Sequence, residues 1–537
     1  MDKVAAMASG VRERGPSALM SDPAPTTESG TTSRPWWETR PFVALLILVS
    51  AVPLLYPSTP PLVDLLGHMG RYRVQLDLAT SPWLKEYYGF HWQAIGNLGV
   101  DILVIPMSKI FGLELAVKLI VLAIPPMTVA GFLWVAREVH GRIPPTALFA
   151  LPFAYSHPFM FGFVNFALAI ALAFLAFGLW LRLARLGRLR LRAILFVPIS
   201  LIVYFTHTFG WGVLGLLCFS GEAVRQHDSG KGWFRSGVNA ALHASVMALP
   251  LLFMLVWRSN IHGASTGYFF DFNYKWHFTL GSLRDRWRWF DRLAITIVAL
   301  VVLESMRQRE LTFSRNLVFS ALVLFVGFIL LPYRLFSSAY ADMRMIPYAI
   351  AVLLLAIRFR GDTRRPLADV IAVLGLVFFA ARIAGNTLSL GMAAQDQQAK
   401  LHALDHVPMG ARVLSLVMEG CGNEWRLPRN THLGAMTIVR RQGFSNDQWV
   451  TEGLNLLSLR YRDSRPFTSD PSQIVRVPRC MTASRRGLES ALHRIPAGRF
   501  DYLWLIDIPP LNAQQLPGIQ PGWRGNGSTL YRFPRAD

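Results

Sequence analysis

Apolar residues along this chain gather in long charge-free runs, and short arginine-rich stretches separate them. Runs long enough to form a membrane helix begin at Pro41, Leu115, Pro145, Gly162, Arg192, Gly210, Gly237, Leu293, Asn316, Met345 and Leu367. The pattern predicts a polytopic α-helical membrane protein of about eleven transmembrane helices. Several runs fall short of the roughly 20 residues of a perpendicular span, so the count carries a margin of about one or two. After about Gly385 the pattern changes. ARVLSLVM (411–418), AMTIVRR (435–441), FDYLWLID (500–507) and STLYRF (528–533) are short β-rich runs bounded by Gly, Pro and Asp. They predict a soluble α/β domain over 386–537. Residues 1–40, rich in Pro, Ser and Thr with balanced charges, read as a disordered tail. A cleaved signal peptide is not expected, because the first apolar run begins only at Pro41 and no small-residue cleavage site follows it.

The arginines set the orientation. RLARLGRLRLR (182–192) holds five arginines and no acid, which keeps it in the cytoplasm. Counting outward from it places REVHGR (137–142), VRQHDSGKGWFR (224–235), RQRELTFSR (307–315) and RFRGDTRR (358–365) on the same side, and each is basic. The tail 1–40 is then cytoplasmic. Residues 58–113, the first outer loop, lie outside with 258–291, 333–344 and the C-terminal domain. One outer loop defies the rule, since 258–292 carries Arg258, Lys275, Arg284, Arg286, Arg288 and Arg292. Either a span nearby is miscounted or these cations have work outside.

Composition agrees: of 537 residues 52% are hydrophobic and 16% charged, with mean hydropathy +0.34. The net charge of +21 does not imply nucleic acid, because most arginines sit in the clusters that the positive-inside rule explains. Three cysteines are too few for a disulfide scaffold. Cys218 lies in an apolar run, whereas Cys421 and Cys480 lie in the C-terminal region, where one disulfide is open to them if that region faces an oxidising space.

Candidate chemistry begins at PLVDLLGHMGR (61–71), just after the first run. Asp64, His68 and Arg71 are spaced i, i+4, i+7 and share one helix face. A carboxylate there, shielded from bulk water and flanked by cations, suits a general base or a clamp for a cationic group. The same spacing suits an interfacial amphipathic helix with its polar face in water. His157 and Asn165 in SHPFMFGFVN and His207 in FTHTFGW fit the capping of helix ends. His432, in NTHLGAM, falls in the soluble domain, where no nucleophile spacing and no Gly-rich phosphate loop is present. That domain is expected to bind or position an acceptor.

The order of features resembles the GT-C superfamily of integral-membrane glycosyltransferases. The likeness covers PPLVDLLGHMGRYRVQLDLATSPWLKEYYGFHWQAIGNLGVDILVIPMSKIFG, the following LELAVKLIVLAIPPMTVAGFLWVAREVHG, and the topology of the rest. By this resemblance Asp64 takes the place of the first-loop catalytic acid, with Asp101 as the loop's second acid and His68 and Arg71 tuning the site. The chain departs from the family pattern in having no paired acids at Asp64. No tight acidic cluster is visible, so no metal site is expected, although the pattern leaves a divalent metal open. The resemblance implies a cell-envelope transferase at the outer face of a bacterial plasma (inner) membrane. It would move a sugar from a polyprenyl-phosphate carrier, its lipid-linked co-substrate, to a hydroxyl of a glycan, lipid or protein. The carrier's phosphate needs cations. Lys275, Arg284, Arg286 and Arg288 are candidates, as are Arg334 and Arg344 beside Asp342 in LPYRLFSSAYADMRMIP (331–347). The 276–292 stretch equally suits a headgroup-level helix anchored by Trp276, Trp287 and Trp289. Two rival functions remain: a transporter or flippase of a lipid-linked glycan, and a non-catalytic sensor or assembly protein. Against the first, Lys118, His243 and Glu304 fall near span ends and no repeat symmetry is visible.

Overall fold

The computed structural model describes residues 34–259, 265–335, 338–361, 365–421, 424–451, 455–480, 487–512 and 514–534. Most of the expected disordered tail lies outside the described residues. Its last part is ordered: Trp36–Glu38 forms a 3-10 turn, Trp36 donates to Asp369 (3.1 Å) and buried Trp37 donates to the Ile143 carbonyl (3.1 Å).

All the apolar runs are helical. By length and composition, however, four helices among the described residues are able to cross a membrane: Leu113–His140, Val164–Arg185, Leu189–Thr206 and Arg365–His406. A fifth joins them if Trp233–Met247 and Pro250–Val256, bent by 68°, form one broken span. Arg40–Val49 and Arg315–Leu330 are apolar but shorter. The expected bundle of apolar helices is therefore present, and the number of spans is not fixed at eleven. One short run owes its reach to its winding. Pro145–Tyr155 is a 3-10 helix of 11 residues, which at about 2.0 Å per residue extends further than an α-helix of that length.

Contacts between loops sort them into two ends. At one end Arg185 pairs with Glu138 (2.8 Å), Arg315 with Asp228 (2.7 Å), and strand Leu311–Phe313 lies antiparallel to Ile357–Phe359. At the other end the Asp64 amide donates to the Phe161 carbonyl, Leu98 to Phe205, Thr208 to Gly96 and His157 to Ser282. Each contact joins loops that the arginine pattern had placed on one side. The basic loop 265–292 belongs to the second end, where the Leu427 amide donates to the Asp285 carbonyl. No miscount is needed to explain its cations.

The C-terminal domain rests on that end. Its five-stranded sheet runs in the order Ile474–Arg476, Val413–Glu419, Tyr502–Ile506, Ser528–Arg532, Gln520–Gly525. Val413–Glu419 is parallel to both neighbours and buried along nearly its whole length, which accounts for its mostly apolar sequence. Cys421 and Cys480 are disulfide-bonded, just beyond the ends of the parallel strands Val413–Glu419 and Ile474–Arg476. AMTIVRR is not a strand. Met436–Arg441 is a short helix that ends where Gln442 turns left-handed (φ 52°), and it packs against helix Leu65–Asp77. Tertiary packing outweighs β propensity there, because Ile438 and Val439 are buried. The helix Arg365–Leu401, 37 residues long, runs straight through the expected boundary at 386 and carries the chain up to the sheet. The first outer loop joins the domain outright: Tyr88–Phe90 pairs antiparallel with Leu457–Leu459.

Candidate functional site

Helix Leu65–Asp77 opens on Asp64 at its N-cap position. Gly162 makes room for it. A Cβ on Gly162 would lie 2.6 Å from the Asp64 amide nitrogen, and φ at Gly162 is +100°, so only glycine fits there. The Asp64 carboxylate, 14% exposed, faces His432 of the C-terminal domain, with Nε2 3.9 Å from Oδ1. The same Nε2 lies 3.9 Å from Asp470, while Nδ1 lies 3.1 Å from the Asp447 carbonyl and 4.0 Å from its carboxylate. Trp449 covers the imidazole at 4.4 Å between ring centroids and reaches His68 at 5.0 Å.

Burial pushes the Asp64 pKa up to about 7 against the pull of the His432 charge, and the Asp470 carboxylate adds to the rise. Arg344 opposes it. Burial disfavours charge on His432, but Asp470, Asp64 and Asp447 outweigh that and raise its pKa. Asp447 is raised by burial, with His432 opposing. Burial lowers the Arg344 pKa to about 10, against the pull of Asp64 and then Asp342. Its guanidinium stacks over Phe163 (4.3 Å) and Phe209 (5.3 Å), makes one long hydrogen bond to the Ala339 carbonyl (3.3 Å), and leaves Nε buried without a partner. Tyr340, in the left-handed region at φ 62°, packs its ring on Phe161 (5.2 Å), and the Asp64 charge reaches its phenol. A tyrosine at positive φ is uncommon and calls for a local reason.

The other sequence candidates divide clearly. Arg71 turns away from Asp64 and forms a buried pair with Asp101 (2.8 Å). Asp101 also accepts from Asn165 (3.0 Å), whose side-chain oxygen accepts from the Val100 amide. Among the described residues neither Arg71 nor Asp101 has a hydrogen bond or ion pair to Asp64. Together they fix the angle between helices Leu65–Asp77 and Gly99–Phe111. His68 is half-buried, and desolvation together with the Arg71 charge holds its pKa well below the usual imidazole range. Lys275 is not free for phosphate: its ammonium donates to the Phe328 and Leu331 carbonyls and pairs with Asp342 (3.1 Å). Asp342 is thus Lys275's partner, and Arg344 has no ion pair with it among the described residues. Arg284 donates to the Trp425 and Glu424 carbonyls (2.7 and 2.6 Å), holding the C-terminal domain. Arg286 is half-buried beside Arg426 and Asp285, Arg288 is exposed, and Arg334 stands over the Tyr268 ring (5.6 Å). Of these cations Arg344 is the one whose charge acts on Asp64. His207 caps the next helix by accepting from the Phe209 amide (3.1 Å), as expected.

His432 is the group that the sequence did not single out, and Asp447, Asp470, Trp449 and Tyr340 come with it. No spacing signal points to them, because their partner lies in the first outer loop, hundreds of residues away. Among the described residues no three side chains of metal-binding type converge closely enough to hold an ion.

No family model and no curated protein matches this chain. Solved structures similar to it include ArnT from Cupriavidus metallidurans in the apo state, at 13% identity and a TM-score of 0.47. The same protein bound to undecaprenyl phosphate matches at 11% identity and a TM-score of 0.43. Each match covers 91% of this chain and 96% of that chain.

Two stability measurements check this geometry. Arg71→Met leaves Asp101 buried without its counter-ion and is expected to cost about 3–5 kcal/mol in denaturation of the solubilised chain. Asp64 behaves in the opposite sense. Its folded pKa of about 7 stands above the ordinary 3.8, so its contribution is full below about pH 4 and is lost as pH rises through about 7. Asp64→Asn is expected to flatten that loss and to stabilise the chain at pH 8 by up to about 4 kcal/mol.

Proposed function

We propose that this chain is a GT-C-type membrane glycosyltransferase. It takes a sugar from a polyprenyl-phosphate carrier and gives it to a hydroxyl of a glycan, lipid or protein. The observation that carries this reading is Asp64, a carboxylate poised near neutrality, set where it feels the charge of Arg344, a buried guanidinium that leaves a donor unused. A general base works best when its pKa lies near the working pH. An arginine fork in a partly dry site suits phosphate oxygens.

In the proposed reaction the Asp64 carboxylate removes the acceptor proton as the acceptor oxygen attacks the anomeric carbon. The bond from that carbon to the phosphate oxygen breaks, with inversion, and polyprenyl phosphate leaves with its charge held by Arg344. His432, carrying charge among three carboxylates, favours the ionised form of Asp64. The remaining residues position these groups: Arg71 and Asp101 set the loop helix, Lys275 and Asp342 hold the turn that ends in Arg344, and Arg284 docks the domain that brings His432. Arg286, Arg288 and Arg334 are left to meet the carrier at the headgroup level. The site end is proposed as the outer face of a bacterial inner membrane, since the basic loops gather at the opposite end. The disulfide between Cys421 and Cys480 accords with an oxidising space there.

Incubation of the purified chain with labelled polyprenyl-phosphate sugars and a crude acceptor fraction is expected to release free polyprenyl phosphate. Asp64→Asn is expected to lower that release by roughly 10²–10⁴-fold. Full activity in that variant would remove the proposal. Arg344→Gln is expected to weaken carrier binding, and Arg344→Lys to restore part of it. A pH profile tests His432 separately. Wild-type kcat/KM is expected to fall below about pH 7 as Asp64 takes up its proton. His432→Gln removes the charge that favours the carboxylate, so the acid limb moves to higher pH and activity returns in part under alkaline conditions.

A further inference from the structure

At the end of the bundle opposite Asp64, a cavity of about 420 Å³ is lined by His140, Arg142, Thr312, Arg358, Arg360 and neighbouring apolar residues. The volume falls within the range of about 300–1,000 Å³ typical of small-ligand sites. The lining follows from the pleat of strand Ile357–Phe359, which pairs Arg358 with Thr312. Ile357 and Phe359 are buried, so Arg358 and Arg360 stand on the other face of the strand line. Among the described residues no carboxylate lines the cavity. Among the described residues Arg142, Arg358 and Arg360 form no ion pair, and one bond from Arg360 Nε to the Leu311 carbonyl (3.1 Å) is the hydrogen bond that these guanidiniums make. Loops that are basic only to orient a chain need not converge on a cavity, and these three do.

His140 adds a directional feature. Its Nε2 lies 2.8 Å from the Leu355 carbonyl, which can only accept, so Nε2 carries the proton and Nδ1 presents a lone pair. That Nδ1 is buried and has no partner. The imidazole is thus fixed with Nδ1 behind the wall, and what the wall offers is forked cations for an anion.

We propose that this cavity binds a phosphate ester. The arginines hold the phosphate oxygens. A glycerophosphate headgroup supplies such a group, and basic cavities at the ends of membrane helices are suited to anionic lipid headgroups. The site is separate from the Asp64 cluster and does not depend on its assignment.

The test uses the full chain, stripped of co-purifying lipid in a neutral maltoside detergent. The probes are dioleoyl phosphatidylglycerol, dioleoyl phosphatidylcholine and glycerol 3-phosphate, read by native mass spectrometry and by Tm. Phosphatidylglycerol is expected to raise Tm and to bind at least about tenfold more tightly than phosphatidylcholine. The double variant Arg142→Gln/Arg358→Gln is expected to lose at least about tenfold in phosphatidylglycerol affinity with its lipid-free Tm unchanged. If that variant folds poorly, Arg142→Lys/Arg358→Lys takes its place, with an intermediate affinity expected because charge is kept and the fork is lost. Displacement of phosphatidylglycerol by glycerol 3-phosphate supports the phosphate site and assigns it to a water-soluble ester, whereas resistance to displacement assigns it to lipid. Equal binding of the two lipids, or wild-type phosphatidylglycerol affinity in the folded variants, overturns the proposal.

Discussion

The Asp64 end of this protein is organised by one contact across the chain: the His432 imidazole, buried, with carboxylates from the first loop and the C-terminal domain around it. Taken singly, none of these groups is easily kept charged away from water. The imidazole offsets part of the acids' charge, and the site exists only while both parts are in place. Several other polar contacts at that end join the same two parts.

Those contacts come from several directions. Arg429 reaches both Asp285 and the Pro61 carbonyl, Arg440 pairs with Glu114 (2.9 Å), and Tyr87 donates to the Gly410 carbonyl (2.6 Å). Tyr88 stacks on Phe444 at 6.2 Å and shares hydrogen bonds with the Ser445 backbone. The basic stretch 284–292 is part of the same frame. Arg284 and the acids of that stretch are engaged in protein contacts: Arg284 grips the 424–425 backbone, Asp285 pairs with Arg429, and Asp291 accepts from Arg382 and Trp425.

Much of the scaffold was legible because its signals are local. Each apolar run became a helix, and the arginine clusters divided the loops as the structure groups them. Asp64 and Arg344 were also visible, one as an acid at a membrane exit and the other as a cation at the mouth of an apolar segment. Elsewhere local signals misled. Lys275 and Asp101 look like free functional charges in sequence, yet each is bound to a partner 67 or 30 residues away. AMTIVRR has strand composition but is a helix because of what it packs on. His432 carries no local mark, since what makes it reactive is an acid 368 positions earlier in the numbering.

The long helix Arg365–Leu401 gives the whole arrangement a fixed gauge. At about 1.5 Å per residue its 37 residues span roughly 55 Å, well beyond a hydrocarbon core of about 30 Å. Its far end is bonded into the domain, through Gln397 to the Arg429 carbonyl (2.7 Å) and Lys400 to Asp507 (3.0 Å). The helix thus behaves as a rigid post, and its length sets the height at which the sheet stands above the bundle. One added turn would lift the domain by about 5.4 Å, more than the distance that now separates His432 from Asp64. The register of the site is therefore written in the length of a membrane helix that contributes no side chain to it.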